Sequence, residues 1–324
     1  MQLAGYVVRR LAISLLTIFI VITATFFLMN LMPGDPFIGN KAIPEAIKEN
    51  LYKKYGLDKP LMERYVIHLK NTFSGDLGMS MFYKNRKVVD IIKQSFPVSA
   101  DLGIRALIFG TIAGVFLGVV AALNHNRTWD SVSMIIAIIG VSLPSFIIGA
   151  LLQWAIGLQL NQLWKTIVGD QYAMLIPTTG WASFGAKLMP PFALGISALA
   201  SIARYMRTSM LDVLNQDYIK TAKAKGLTKT QVTVRHTIRN AILPVVTILG
   251  PMTAAVLTGS FVIELIFAIP GLGKFFINSI NQQDYTMIMG LTLFYSTFLI
   301  FMNFVVDILY GIVDPRIRLA KGKA

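Results

Sequence analysis

The sequence predicts an all-α integral membrane protein built on six transmembrane helices. Charged residues make up 14% of its 324 positions, against about 25% in soluble domains, and the mean hydropathy is +0.62. Six apolar stretches approach the roughly 20 helical residues that cross a hydrocarbon core: Leu11–Met32, Leu102–Leu123, Val132–Leu158, Leu188–Ala203, Leu243–Ala268 and Met287–Val313. Helices satisfy their own backbone groups, which lipid demands. None of these runs alternates as barrel strands do.

Taken in order, the first span follows Arg9 and Arg10 and exceeds a signal-peptide core of about 7–15 residues. Met32-Pro33-Gly34-Asp35 follows it, with no small-residue cleavage site, so a retained anchor is expected. The segment from about Pro33 to Ala100 is expected to be a helical extracytoplasmic insertion. Pro44 opens a helix with Ile47, Leu51 and Tyr55 on one face, and Gly56 ends it. Pro60 opens another, with Met62, Tyr65, Leu69 and Phe73 in register, before a turn at Gly75-Asp-Leu-Gly78. Such an insertion can shield the bundle or receive an extracytoplasmic partner, and these residues leave both open. The predicted organisation is thus 1–32 for the amino terminus and first span and 33–100 for the insertion. A five-helix core, 101–318, carries an inner loop at 204–240, and a tail occupies 319–324.

Within the core, Gly110, Gly114 and Gly118 recur every fourth residue of the second span, a spacing that lets membrane helices approach closely. Pro144 and Pro251 interrupt the third and fifth spans; each removes a backbone hydrogen bond and favours a kink suited to gating. The fourth span is the least apolar. Asp101 and Arg105 stand one turn apart and are expected to pair. Glu264 and Asp307 are expected near the outer end of span five and the inner end of span six, where interfacial solvation suffices for them.

The formal charge of +14 is mostly topology. With the amino terminus inside, Arg9, Arg10, Arg127, the basic 204–239 loop, Arg316, Arg318, Lys321 and Lys323 face the cytoplasm. The later outer loops hold Lys165, Lys187 and Lys274. No recognition motif supports nucleic-acid binding. The sequence contains no cysteine, which excludes disulfides and thiolate metal sites. Pro270-Gly-Leu-Gly273-Lys274 imitates the end of a phosphate loop, yet Ala268 and Phe275 occupy positions that require glycine and Ser or Thr. His68, His125 and His236 are scattered, and no G-x-S-x-G turn is present. A transport subunit rather than an enzyme is expected, with no catalytic residue, metal or bound cofactor. A stand-alone secondary carrier would need repeats and a midplane ion site, and neither is evident.

The inner loop is the most informative segment. Arg204, Arg207, Lys220, Lys223, Lys225, Lys229, Arg235 and Arg239 stand there against Asp212 and Asp217. Its centre, Asp217-Tyr-Ile-Lys-Thr-Ala-Lys-Ala-Lys-Gly226-Leu-Thr228, reads as a short helix capped by Asp217 and stopped by Gly226. Thr228-Lys-Thr-Gln231 forms a capping box for the next helix, on which Arg235, His236 and Arg239 share a face. Pinning to anionic lipid at about 1 kcal/mol per basic residue needs no such capped break. The order points to docking of a cytoplasmic partner.

Lys220-Thr-Ala222-Lys-Ala-Lys-Gly226, followed by Arg235-His-Thr-Ile-Arg239-Asn-Ala-Ile-Leu243-Pro244, resembles the "EAA" loop of bacterial ABC importer permeases in their oligopeptide/dipeptide branch. Lys220 occupies the usual Glu position and Thr221 the first Ala. Leu31-Met-Pro-Gly-Asp-Pro36, Gly56-Leu-Asp-Lys-Pro60, Gly75-Asp-Leu-Gly78, Phe261-Val-Ile-Glu264, Ile269-Pro-Gly-Leu-Gly273 and Asp314-Pro-Arg-Ile-Arg318 extend the likeness along the chain. The resemblance implies a type I importer permease in the bacterial cytoplasmic membrane, with both termini cytoplasmic. It implies pairing with a paralogous permease and with two cytosolic ATPases that carry ATP and Mg. An extracytoplasmic binding protein would deliver peptide, or in related systems a nickel chelate, glutathione or another small solute. Tyr218, Ile219, Lys220, Thr221, Ala222, Lys223, Ala224, Lys225, Gly226 and Leu227 would then form the ATPase-coupling helix and its stop, with Ala222 on the face entering the ATPase cleft. Pro144, Pro251, Glu264 and Asp307 are the candidate pathway or gating positions.

Overall fold

The computed structural model describes residues 2–32, 37, 44–257 and 261–313. Most of the Leu31–Pro36 motif, the Asp314–Arg318 motif, the 319–324 tail and the side chain of Asp307 lie outside the described residues. The described residues are α-helical with short 3-10 and π-helical stretches, and their bridge between Met79 and Lys87 belongs to no strand. Among the described residues, five helices are long and apolar enough to cross a membrane: Val7–Leu31, Val88–Leu123, Ser145–Val168, Gly185–Leu214 and Tyr285–Val305. Lys229–Ala241 and Leu243–Leu257, bent by 46°, make a sixth where the pair is counted as one broken span.

The chain divides into two compact units, residues 1–97 with 271–324, and residues 98–270. In the first, α1 (Gln2–Leu31) packs along the last helix, which begins at Tyr285. Two shorter helices follow, α2 (Glu45–Tyr55) and α3 (Leu61–Phe73), opened by Pro44 and Pro60 as expected, and Gly56 closes α2 in the left-handed conformation. The α3 register differs from expectation. Tyr65 meets Phe26 and Phe27 of α1 and its hydroxyl lies 2.8 Å from Thr23 Oγ1, whereas Met62 and Phe73 are solvent-exposed. The inward face therefore runs through Tyr65 and His68, whose rings meet those of Phe26 and Phe27 on α1.

The second unit begins within α4 (Val88–Leu123), whose Pro97 marks the boundary. Next come α5 (Thr128–Ser142), α6 (Ser145–Leu152), a π-helical stretch Gln153–Leu160, and α7 (Asn161–Val168). The expected third span, Val132–Leu158, is thus broken. Pro144 does more than kink it: Leu143 turns extended (φ −91°, ψ 127°) and Pro144 caps a new helix. Proline lacks the N–H for the helical ladder and sterically drives its predecessor out of the α region.

The central element is α8 (Met189–Leu214). Its most apolar window is 61% buried, against 11% for the first span. A helix surrounded by protein has no need of a lipid-facing surface. Gly110, Gly114 and Gly118 of α4 lie against it: a Cβ at Gly114 would stand 2.7 Å from the Leu199 carbonyl oxygen, and one at Gly118 2.6 Å from Met206 Cβ. Gly195 returns the same approach toward the Ala106 carbonyl. The four-residue glycine spacing is this helix crossing.

The chain continues through α9 (Asp217–Ala224), α10 (Lys229–Gln231), a π-helical stretch Val232–Ile238, and α11 (Arg239–Ala241). It then forms α12 (Leu243–Leu257) and α13 (Phe261–Ile266). Pro251 lies inside α12 without ending it; the 46° bend comes instead beside Ile242, just ahead of Pro244. In the first unit, α14 (Leu272–Asn281) packs on α15 (Tyr285–Val313). Asp284 caps α15 through the Met287 N–H at 3.0 Å. Its carboxylate also accepts the Met81 and Phe82 N–H groups, at 3.0 and 3.1 Å, and the Ser80 hydroxyl.

Candidate functional site

The 215–231 segment is built outward from an apolar clasp. Ile219 and Ala222, three residues apart on α9, are buried together with Val232, and Val213 and Leu227 pack against them. One face of a helix of 8 residues is thereby fixed to the chain itself. Such a helix is too short to persist alone in water, so this clasp holds it.

Fixing that face decides what the other one shows. Tyr218, Lys220, Thr221, Lys223, Ala224, Lys225 and Gly226 are exposed, with Tyr218 at 45%. Ala222, expected on the presented face, is 5% exposed and points inward. The reason is register: 219 and 222 are adjacent on a helix surface, and Ile219 must be buried.

Asp217 does not cap α9. Gln216 occupies the cap position in extended conformation, and the Asp217 carboxylate pairs with Lys220 Nζ at 2.9 Å from the first turn, where it still favours the helix dipole. The stop is as expected, since Gly226 has φ +77° and its N–H donates to the Lys223 carbonyl. Glycine alone adopts that conformation without a Cβ penalty. The capping box is complete: Thr228 Oγ1 accepts from Gln231 N, and Gln231 Oε1 accepts from Thr228 N. Arg235 and His236 follow on π-helical geometry and Arg239 opens α11, and Thr237 Oγ1 donates to the Val232 carbonyl five residues back.

An ion-pair network that the sequence did not reveal steadies this end of α8. Arg207 donates from Nε to Asp130 Oδ1 at 2.6 Å and from Nη2 to Asp130 Oδ2 at 2.8 Å. His125 Nδ1 lies 3.2 Å from Asp130 Oδ2, and the Asn126 N–H donates to that oxygen at 3.0 Å. The Arg207 guanidinium holds the Asp130 carboxyl far below the usual carboxylate range, against the opposing effect of burial. Asp130 stands two residues before the third apolar run, where it reads as an ordinary flanking charge.

Of the other charged candidates, Asp101 and Arg105 pair at 2.7 Å as expected, and Lys187 joins Asp101 at 3.3 Å. Glu264, expected at a solvated interface, is fully buried. It sits on α13 beside Ile263, whose cluster with Phe267 and Ile269 draws that turn into the core. The structure does not bring Pro144, Pro251 and Glu264 together with the 218–227 segment. Two polar side chains that sequence reasoning passed over organise the 170–180 loop. Asn161 Oδ1 accepts the Leu175 and Ile176 N–H groups, and Gln153 Nε2 donates to the Thr178 and Ile266 carbonyls. Among the described residues no His, Cys, Asp and Glu cluster could hold a metal ion.

Residues 114–319 match the family described as binding-protein-dependent transport system inner membrane component, and residues 3–103 match its N-terminal companion. The dipeptide transport system permease protein DppB of Bacillus subtilis (strain 168) is 44% identical over 321 residues, covering 98% of this chain and 99% of that one. The oligopeptide transport system permease protein OppB of Haemophilus influenzae is 41% identical over 315 residues, covering 97% and 99%. A crystal structure of an amino acid ABC transporter with histidines aligns with TM-score 0.51 at 15% identity, covering 69% of this chain and 95% of that one. That similarity shows a shared ABC transporter permease fold. The chain belongs to the family of membrane components of binding-protein-dependent transport systems.

Proposed function

We propose that this chain is one of two paralogous permeases of an ATP-driven peptide importer, and that Tyr218–Leu227 is where a cytosolic ATPase docks. The observation that carries the docking role is the clasp. It orients a basic, solvent-facing helix whose exposed residues serve no packing need within the chain. Peptide as cargo is supported by the names of the dipeptide and oligopeptide permeases that the chain resembles. In this reading ATP and Mg reside on two partner ATPases, an extracytoplasmic binding protein delivers the peptide, and both termini are cytoplasmic. Closure of the ATPases would move the clasped helix as a unit with α8, to which its apolar face is joined through Val213.

Co-purification of the chain with its genomic neighbours, followed by ATPase assays, tests this. Stimulation by peptide-loaded binding protein is expected; stimulation only by nickel chelates or glutathione would reassign the cargo. ATP turnover by the isolated chain would refute the permease role.

A further inference from the structure

The first unit contains a cavity of about 410 Å³, within the range of small-ligand sites. It is lined by the end of α1, the end of α2, α3, the 76–81 segment and the beginning of α15. Its walls divide by chemistry. Met29, Ile67, Met289 and Leu293 are apolar, and three of these four belong to membrane-crossing helices. Lys54, Arg64, His68 and Asn71 form the polar side.

The cations are not equivalent. Lys53 and Lys59 also line the cavity, but their ammonium groups are spent on Glu49 and Glu63, at 2.9 and 2.7 Å. Arg64 makes no hydrogen bond or ion pair with the described residues, although it is partly buried and burial disfavours its charge. Lys54 lies over the Tyr55 ring at 5.6 Å and has no carboxylate partner among the described residues. Asp76 is the acidic residue lining the cavity, and its Oδ1 accepts the Gly78 N–H. Two cations without a carboxylate partner among the described residues thus line the same cavity as apolar side chains from the ends of two candidate membrane spans. That combination of side chains suits an amphipathic anion.

We infer that this cavity binds the phosphodiester headgroup of an anionic membrane phospholipid, with Arg64 and Lys54 on the phosphate and the first acyl carbons along Met29, Met289 and Leu293. Guanidinium and ammonium groups suit phosphate, and the apolar floor rewards an attached chain that a free anion lacks. A lipid held there would bridge α2 and α3 to the ends of α1 and α15.

The test uses the purified full chain, delipidated in detergent, with bound lipid read by native mass spectrometry during titration with phosphatidylglycerol or phosphatidylcholine. One phosphatidylglycerol should bind at about tenfold lower concentration than phosphatidylcholine. Arg64→Gln with Lys54→Gln should erase that preference by about tenfold or more, given the usual contribution of each basic residue. Lys53→Gln, whose ammonium is already paired, should leave it intact. Arg64→Lys should retain part of it, which keeps the site testable if the double variant misfolds. Inorganic phosphate and trialanine are the competitors. Neither should displace phosphatidylglycerol at millimolar concentration; displacement by phosphate would identify a free-anion site, and by trialanine a peptide site, and either overturns the inference. Equal phosphatidylglycerol retention by wild type and the double variant overturns it too. None of these readouts depends on which solute is transported.

Discussion

Arg207 grips both oxygens of Asp130 across 77 residues of sequence, at 2.6 and 2.8 Å, joining the start of α5 to the inner part of α8. Asp130 is nearly buried, and Arg207 keeps about a quarter of its side-chain surface. Asp130→Asn should cost about 2–3 kcal/mol. That is less than the roughly 3–5 of a wholly buried pair, because water still reaches Arg207. Thermal unfolding in detergent is the measurement. Adding Arg207→Gln should recover part of the loss, since the stranded cation is then gone. The sign of the pH effect follows from the depressed carboxyl. Its stabilisation is present above the ordinary value of 3.8 and is lost only as pH falls below it, so this pair gives no slope between about pH 5 and 8.

His68 behaves oppositely to a surface histidine near neutrality. It stacks on Phe26 with ring centroids 5.4 Å apart, and burial holds its pKa below 6.5. A histidine kept neutral by the fold is protonated more readily in the unfolded chain, so stability is present above 6.5 and lost as pH falls below it. The unfolding midpoint of wild type should drop between pH 7 and 5. His68→Phe should flatten that slope while keeping the stacked ring, and an unchanged slope would clear His68 of responsibility.

Gly114 is one of three α4 glycines pressed against α8. A methyl there would press on the Leu199 carbonyl at 2.7 Å and on Ile202. Gly114→Ala should destabilise by about 1–3 kcal/mol through overpacking, and Gly114→Val by more. Gly5→Ala, with open space around it, is the control and should be neutral or slightly stabilising. Unfolding midpoints of the three variants decide the matter.

Much of this architecture was legible because it rests on local rules. Proline openings at 44 and 60, the Gly56 and Gly226 stops, the Thr228–Gln231 box and the glycine stripe each follow from a few adjacent residues. What escaped depends on partners distant in sequence. Asp130 acquires meaning only beside Arg207, and Asp284 only beside the 80–82 turn, about 200 positions away. Glu264 was misplaced because hydropathy counts a charge as a cost and cannot see the buried turn that encloses it. The inward face of α9 was misread for a related reason. Alanine is compatible with either side of a helix, and Ile219, three residues earlier, was the available signal.

The proposed orientation rests on the positive-inside bias. On the proposed topology, single cysteines at Lys229 and near the carboxyl terminus should react only from the cytoplasm, and one at Lys53 only from outside. The chain contains no native cysteine, so the background is clean. Labelling of position 229 in intact cells by an impermeant reagent would overturn the orientation.

The coupling proposal is tested by separating the two faces of α9. Thr221 and Ala224 are exposed, so Thr221→Glu and Ala224→Glu should leave expression and unfolding near wild type while weakening ATPase association and uptake. Ala222→Glu is different in kind: it would bury a carboxylate against Ile219 and Val232, and should loosen the loop itself as well as impair uptake. Gly226→Val lies between these cases. Open space surrounds the site, so no clash arises, and the φ of +77° alone should cost about 1–2 kcal/mol. That strain falls on the turn leading into the Thr228 cap, so uptake should fall further than stability does. Lys223→Gln tests the rival reading of lipid pinning, which predicts mainly a loss of membrane contact, whereas docking predicts weaker ATPase association. Full transport by Thr221→Glu, Ala224→Glu and Gly226→Val together would place the docking surface elsewhere. Loss of uptake with ATPase association intact would instead assign the helix a role in transmission, after docking has already occurred.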